Sequence, residues 1–292
     1  MSKFNIDKSS FNLDTTLNCG QLFRWKKLGD WWYGVVESTV FKVRQNSEDL
    51  EFEGVTRERI QEYFRLDDNL NEITKKINRD TLTQKAIQTF PGLRIVRQPP
   101  WECLISFMCS TIKNIPAIKE MIFKLSARFG EELSLQGITF YTFPNTSTLA
   151  NATLRELREC KLGFRAKRVL DTAKLISQHK IDLESLKNVD YFQAKKALMG
   201  FPGVGNKVAD CTLLFSLEQL EAFPIDVWMK RVISKFYSNH FDKGFVKALS
   251  ESRSITNKEY NKMSSFARNY FGKYAGYAQE YLFHYIRDRG SI

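Results

Sequence analysis

The sequence predicts a mainly α-helical protein carrying a small α+β domain at its N-terminus, and two observations predict it. Residues from about 10 to 55 are rich in aromatic and β-branched side chains broken by turn signals, which is the composition of short antiparallel strands. From about residue 56 the apolar positions recur at helical spacing and keep doing so to the C-terminal stretch. No repeat at a period of about 20 to 50 residues is present, so a solenoid is not indicated. The division that follows is an antiparallel sheet plus helices over residues 1–95 and a helical region over 96–292, with two helical subdomains and a hairpin at 198–211.

The strands are placed by their side chains. Phe23-Arg24-Trp25, Trp31 to Val36, Val40 to Val43 and Leu50 to Phe52 read as strands, with Leu28-Gly29-Asp30 and Gln45-Asn46-Ser47 as turns. The paired Trp31 and Trp32 read as sheet-face packing rather than a base-stacking platform. Leu70 to Ile77 and Thr81 to Thr89 form two short helices before a break at Pro91-Gly92. Pro99-Pro100 precedes Trp101 to Ser110, a nearly continuous apolar run suited to a buried helix. Pro116 fits the first turn of a helix through Ala117 to Phe129 that Gly130 ends. A turn at Phe143 to Thr146 leads to a helix through Leu149, Leu154 and Leu157, capped by Ser147 or Thr148. Leu162-Gly163-Phe164-Arg165 interrupts that pattern, which resumes over Ala166 to Gln178. Tyr191 to Met199 and Lys207 to Leu217 are the two arms of the hairpin, Asp226 is placed to cap Val227 to Tyr237, and Tyr274 to Asp288 closes the chain.

Composition narrows the function classes. The chain has 44 Lys and Arg against 33 Asp and Glu, a formal net charge of +11, which suits a polyanionic partner. With 43% hydrophobic and 13% aromatic residues it has ample material for a core and no signature of disorder. Cys19, Cys103, Cys109, Cys160 and Cys211 are dispersed without CxxC spacing, and His179, His240 and His284 form no cluster. A structural zinc or iron–sulfur site is therefore not expected, and the thiols read as reduced, in an intracellular protein without an apolar leader. No run approaches the roughly 18 apolar residues of a membrane span.

The hairpin carries the chemistry. Gly203 and Gly205, with Pro202 ahead, turn the chain between two helices and expose backbone N–H groups at the second helix's N-terminus, where the dipole favours an anion such as a DNA phosphate. A glycine cap with a solvated lysine fits the same spacing. A phosphate-cradling nucleotide loop over Gly200 to Lys207 fails, because Asn206 precedes the lysine, no Ser or Thr follows it, and the preceding element is a helix. Lys207 and Asp226 make a second pairing: an amine and a carboxylate at the N-termini of two helices facing one cleft. A neutral amine is a nucleophile, and a carboxylate beside it can orient it and stabilise positive charge developing on a sugar carbon. A surface ion pair plus a helix cap is the alternative that spacing alone leaves open.

Beyond these features, Phe201 to Cys211 with Phe223-Pro224-Ile225-Asp226-Val227 resembles the helix-hairpin-helix and catalytic aspartate of the 8-oxoguanine DNA glycosylase/AP lyases. The resemblance continues through Asn18 to Trp25, Gln98 to Cys103, Leu162 to Ala166 and Tyr277 to Phe283, so it spans the chain. It implies the helix-hairpin-helix DNA glycosylase fold, duplex DNA containing 8-oxoguanine as partner, action as a monomer, and a site in the nucleus or prokaryotic cytoplasm. No metal or organic cofactor is implied. Lys207 matches the nucleophile that attacks the sugar C1′, and Asp226 the assisting carboxylate. Gly20 matches the position whose carbonyl accepts the N7 hydrogen that 8-oxoguanine has and guanine lacks. Cys211 and Phe283 match the pair that sandwiches the base, and Gln279 the reader of its Watson–Crick edge. Phe164 matches the wedge that fills the duplex, Arg165 a contact to the base left unpaired, and Gly203, Gly205 and Asn114 further DNA-binding positions.

Two departures stand out. Where eukaryotic members carry an asparagine-rich run followed by an arginine, this chain has Thr111-Ile112-Lys113-Asn114-Ile115-Pro116-Ala117, so the readers of the opposite cytosine are replaced by the apolar Ile112 and Ala117. A relaxed opposite-base preference is expected, with Arg165 as the remaining polar reader. Trp228 stands where a phosphate-contacting histidine is usual. The competing readings are a glycosylase for alkylated bases on the same fold and a non-catalytic helix-hairpin-helix protein that only binds DNA.

Overall fold

A computed structural model describes residues 2–46, 48–252 and 254–290. Five strands, β1 (Ser2–Asn5), β2 (Lys26–Leu28), β3 (Trp31–Val36), β4 (Thr39–Gln45) and β5 (Asp49–Glu53), form one antiparallel sheet in the order β1-β5-β4-β3-β2. Helices α1 (Leu13–Asn18) and α2 (Arg57–Tyr63) accompany it, and Phe11, Leu17, Trp25, Phe41, Phe52, Ile60 and Phe64 make its core. Trp32 is buried with its indole N–H on Asp14 Oδ1 at 2.7 Å, the packing role expected of it. The first predicted strand is misplaced: Phe23 and Trp25 are buried in a loop, and the strand begins at Lys26 and includes Leu28. The aromatic signal there reports burial, which a loop pinned between two layers also produces. Of the predicted turn at Gln45 to Ser47, Ser47 lies outside the described residues.

The rest of the fold is helical. In chain order it runs α3 (Leu70–Ile77), α4 (Thr81–Thr89), α5 (Pro100–Cys109), α6 (Ile115–Phe129), α7 (Thr146–Asn151), α8 (Leu154–Glu159), α9 (Arg165–His179), α10 (Tyr191–Met199), α11 (Asn206–Ser216), α12 (Val227–Phe236), α13 (Lys243–Glu251), α14 (Asn257–Phe271) and α15 (Ala275–Asp288). One large core joins them, and Leu70, Ile73, Ile77, Ala86, Leu93 and Ile95 belong to it rather than to the sheet's core. Accordingly α15 packs on α3 and α4 as well as on α12, so the end of the chain closes against a segment near its beginning.

The single helix predicted through Leu149 and Leu157 is two. Asn145, not Ser147 or Thr148, caps α7, accepting from Thr148 N at 2.8 Å, and Thr153 starts α8 with a capping box to Glu156. A second hairpin, β6 (Glu132–Leu135) and β7 (Ile138–Tyr141), lies between α6 and α7 and reaches the sheet through Tyr33 stacked on Phe140.

Candidate active site

The hairpin places its lysine at a bare helix end. After α10 a short turn closed by Val204 N to Phe201 O at 3.1 Å leads to Gly205, which precedes α11 without any side-chain cap. The leading N–H groups of α11 therefore have no side-chain acceptor, the arrangement that receives a phosphate oxygen. Gly203 is exposed with φ +82°, and a Cβ there would lie 2.4 Å from Arg168 Cδ on α9. Backbone conformation and neighbour thus both demand glycine. Thr172, also on α9, supports the turn from beneath by donating to Pro202 O at 3.2 Å.

Lys207 is half-buried in the first turn of α11. Its Nζ donates to Ser110 Oγ at 2.8 Å and lies 4.8 Å from the centre of the Phe107 ring, so the end of α5 holds the amine in place. Cys211, one turn later and therefore on the same helix face, is buried, and desolvation pushes its thiol up to about 12. It is an inert wall rather than a second nucleophile. Asp226 caps α12, accepting from Met229 N at 2.8 Å, and burial holds its carboxyl above the ordinary aspartate value, against the pull of that cap and of Lys207. Lys207 and Asp226 form no ion pair within 4.0 Å, although the lysine is near enough to pull on the Asp226 carboxyl. A carboxylate desolvated beside an amine is a signature of catalytic sites.

The far wall comes from the loop after α1 and from α15. Gly20 has φ +113°, and a Cβ on it would lie 2.5 Å from Arg287 Nη1, 3.1 Å from Phe283 Cε1 and 3.3 Å from Ile115 Cδ1. Its loop is pinned by Gln21, whose amide donates to Arg94 O at 2.8 Å and accepts from Val96 N at 2.9 Å. Phe283 and Gln279 lie four residues apart on α15, on one face. Gln279 is 5% exposed and its Oε1 has no hydrogen-bond partner. An orphaned buried oxygen costs about 1–3 kcal/mol, a cost that an N–H donor entering the site would remove.

The predicted DNA-facing residues divide. Phe164 is 56% exposed at the start of α9, with the Arg168 guanidinium 5.4 Å from its ring centre, which sets it beside the hairpin. Asn114 is exposed, and its side chain caps α6 by accepting from Ala117 N at 3.0 Å. Arg165 differs from expectation: it is buried, and its guanidinium donates to the carbonyls of Thr111 and Leu162 rather than standing free to meet a base. It therefore shapes the turn that presents Ile112, which is 88% exposed with φ +54°. Trp228 is half-buried, with the Arg231 guanidinium 5.4 Å from its ring. Among the described residues no group of three His, Cys, Asp or Glu is placed to hold a metal, and all five cysteines are buried and free.

A network that sequence reasoning missed underlies the elements that carry Lys207 and Asp226. Asp210 is fully buried and accepts from Tyr191 at 2.7 Å, Tyr260 at 2.6 Å and Lys195 Nζ at 2.9 Å. The Tyr260 hydroxyl in turn accepts from Ile225 N at 3.2 Å, one residue before Asp226. Tyr260 thus ties the helix bearing Lys207 to the loop bearing Asp226.

Comparison with known proteins shows the family. The model of the 8-oxoguanine DNA glycosylase N-terminal domain matches residues 3–104, and that of the HhH-GPD superfamily of base excision DNA repair proteins matches residues 105–256. The chain belongs to the HhH-GPD superfamily, in its 8-oxoguanine DNA glycosylase family. It is 32% identical to an N-glycosylase/DNA lyase of Saccharomyces cerevisiae over 96% of this chain and 85% of the yeast protein. An Arabidopsis thaliana N-glycosylase/DNA lyase is 28% identical over 95% of this chain and 78% of its own. The 8-oxoguanine glycosylase/lyase of Clostridium acetobutylicum, solved with double-stranded DNA containing cytosine opposite 8-oxoguanine, superposes with a TM-score of 0.85 at 32% identity over 99% of both chains. No helix of the described residues is long and apolar enough to cross a membrane.

Proposed function

We infer that the chain is a bifunctional DNA glycosylase/AP lyase that removes 8-oxoguanine from duplex DNA. The observation that carries this reading is the half-buried Lys207 amine at an uncapped helix end, with a desolvated Asp226 across the cleft and a free Gln279 oxygen on the far wall. In this reading the free N–H groups of α11 hold a phosphate while Phe164 occupies the space left in the duplex, offsetting the few kcal/mol that extrusion of the base costs. The extruded purine lies between Cys211 and Phe283, with its N7 hydrogen on the Gly20 carbonyl and its Watson–Crick edge toward Gln279. The Lys207 lone pair forms the bond to C1′ as the C1′–N9 bond breaks, and its electron pair leaves with the base, which takes up a proton. Loss of the amine's proton and opening of the sugar give the Schiff base. Removal of a C2′ proton then expels the 3′ phosphate. Borohydride should therefore trap the protein on a duplex containing 8-oxoguanine and not on the undamaged duplex; a protein that never traps on the lesion refutes the lyase step. In this reading the enzyme acts on DNA inside the cell and as a monomer.

Asp226 separates its two roles cleanly under substitution. Asp226→Asn keeps a good helix cap, so its melting temperature should stay within a few degrees of wild type, while base excision slows by about 10²- to 10³-fold. Because the raised carboxyl must be ionised to work, excision is fully present above its raised value and is lost as pH falls through it, at a higher pH than for an ordinary aspartate. Single-turnover excision against pH measures that limb.

The opposite strand meets an apolar surface. Ile112 and Phe164 are exposed, whereas Arg165 is held by backbone carbonyls, so we propose a weak preference for cytosine opposite the lesion. A β-branched residue at φ +54° costs about 1–2 kcal/mol, and asparagine tolerates that conformation. Ile112→Asn should therefore raise stability by about 1 kcal/mol and sharpen selectivity for cytosine. Cleavage of the lesion opposite each of the four bases checks both the wild-type preference and its change; a strong cytosine preference in the wild type refutes the proposal.

A further inference from the structure

Glu280 has no part in the reaction above. It is 2% exposed, follows Gln279 on α15, and its Oε1 has no hydrogen-bond partner. Arg287, seven residues on and so on the same helix face as Glu280, has an unpartnered Nη1 that stands against Gly20. Three of the orphaned buried polar atoms among the described residues thus belong to one helix, the one that also supplies Phe283. Each imposes a desolvation cost that an apolar side chain would avoid, and a ligand of matching polarity removes that cost.

We propose that Glu280 is a base-contacting residue whose free Oε1 accepts a hydrogen bond from the 2-amino group of the extruded purine. This rests on the reading that Gln279 and Phe283 line the base pocket. 8-Oxoguanine presents N–H donors at N1, N2 and N7 and carbonyls at C6 and C8. The wall presents three acceptors, Gly20 O, Gln279 Oε1 and Glu280 Oε1, and donors at Arg287 Nη1 and Gln279 Nε2. Guanine shares the N1 and N2 donors, so Glu280 identifies a guanine-type edge, whereas Gly20 identifies the oxidation.

The groups facing this carboxyl are the Cys19 thiol from the end of α1, Lys207 and Cys211 from α11, Asp226 at the start of α12 and Arg287 on its own helix. Burial pushes the carboxyl up to about 7, with Cys19, Arg287 and Lys207 opposing the rise and Asp226 adding to it. A raised carboxyl makes the native state bind more protons than the unfolded chain between about 4.5 and 7, so its contribution to stability is present below 4.5 and is lost as pH rises through 7.

Single-turnover excision from duplexes carrying 8-oxoguanine or 8-oxohypoxanthine, which lacks the 2-amino group, tests the assignment. Cleavage of a preformed abasic site serves as control. Wild type should favour 8-oxoguanine, and Glu280→Leu should slow 8-oxoguanine by about tenfold or more while changing 8-oxohypoxanthine and the abasic site by about twofold at most. Glu280→Gln, which keeps an acceptor, should recover most of the 8-oxoguanine rate, with a melting temperature that no longer falls between pH 5 and 8 as steeply as that of wild type. Equal losses on both bases, a loss at the abasic site, or no loss in Glu280→Leu or, should that variant not fold, in Glu280→Ala overturns the assignment. Gln279→Ala, run in parallel, separates the two readings: if it too leaves 8-oxoguanine excision unchanged, the pocket itself is misplaced, and if it alone slows excision, only Glu280 is.

Discussion

Lys207→Gln should abolish the borohydride crosslink and reduce strand cleavage by about 10⁴-fold or more, because on the proposed mechanism it removes the covalent nucleophile and with it the whole Schiff-base route. DNA binding should survive. The free N–H groups at the head of α11 belong to the backbone, and the glycines that expose them are untouched. Stability should also survive to within about 1 kcal/mol, since the losses are one cation–aromatic contact with Phe107 and one hydrogen bond to Ser110 at a half-buried position. Trapping on lesion DNA, binding by gel shift and thermal melting read these three outcomes separately. A variant that still crosslinks would show that another amine is the nucleophile. A variant that neither traps nor binds would make the lysine a phosphate contact. Ser110→Ala gives the complementary expectation: the amine keeps its identity but loses its anchor, so cleavage slows by about tenfold while trapping persists.

The hairpin turn and the Asp226 cap were legible because they sit where local rules are strict. Gly203 needs a positive φ and a clear space beside Arg168, Asp226 must cap a helix, and both demands leave a mark at a fixed offset in sequence. The helix ends from α9 to α12 were legible for the same reason. Other signals were present and unused: Gln136-Gly137 between Leu135 and Ile138, both central residues with positive φ, is the turn of the β6–β7 hairpin, and Thr256 with Glu259 is the capping box of α14. The Phe23 to Trp25 stretch shows the opposite error, since period and composition cannot distinguish a strand from a loop buried between layers. Arg165 shows a third. The resemblance implies a base reader at its position, but whether a guanidinium points at DNA or at two carbonyls depends on the loop opposite, which begins at Thr111.

The Asp210 network was illegible for a deeper reason, and it carries the largest stability effect. Its partners lie 15, 19 and 50 residues away along the chain and come from α10 and α14, so no period or motif joins them. Asp210→Ala should cost about 3–5 kcal/mol, because it leaves the Lys195 ammonium buried without its carboxylate and two tyrosine hydroxyls without their acceptor. Arg268, stacked 3.6 Å from the Tyr191 ring centre and paired with Glu221, would lose the fixed surface it rests on. At roughly 2–4 °C per kcal/mol the melting temperature should fall by about 10 °C. Asp210→Asn should fall between that variant and wild type, since an amide keeps one of the two acceptor oxygens but carries no charge to answer Lys195. Tyr260→Phe isolates the link to catalysis: the ring and its packing remain, only the hydroxyl that joins Asp210 to Ile225 N is lost, and stability should drop by about 1–2 kcal/mol. Excision should slow by about tenfold even at a temperature where Tyr260→Phe is fully folded, because the loop carrying Asp226 is no longer fixed against the helix carrying Lys207. An Asp210→Ala protein that melts with wild type would show the charge pair to be dispensable. A Tyr260→Phe protein of normal rate would confine the network to holding the fold together.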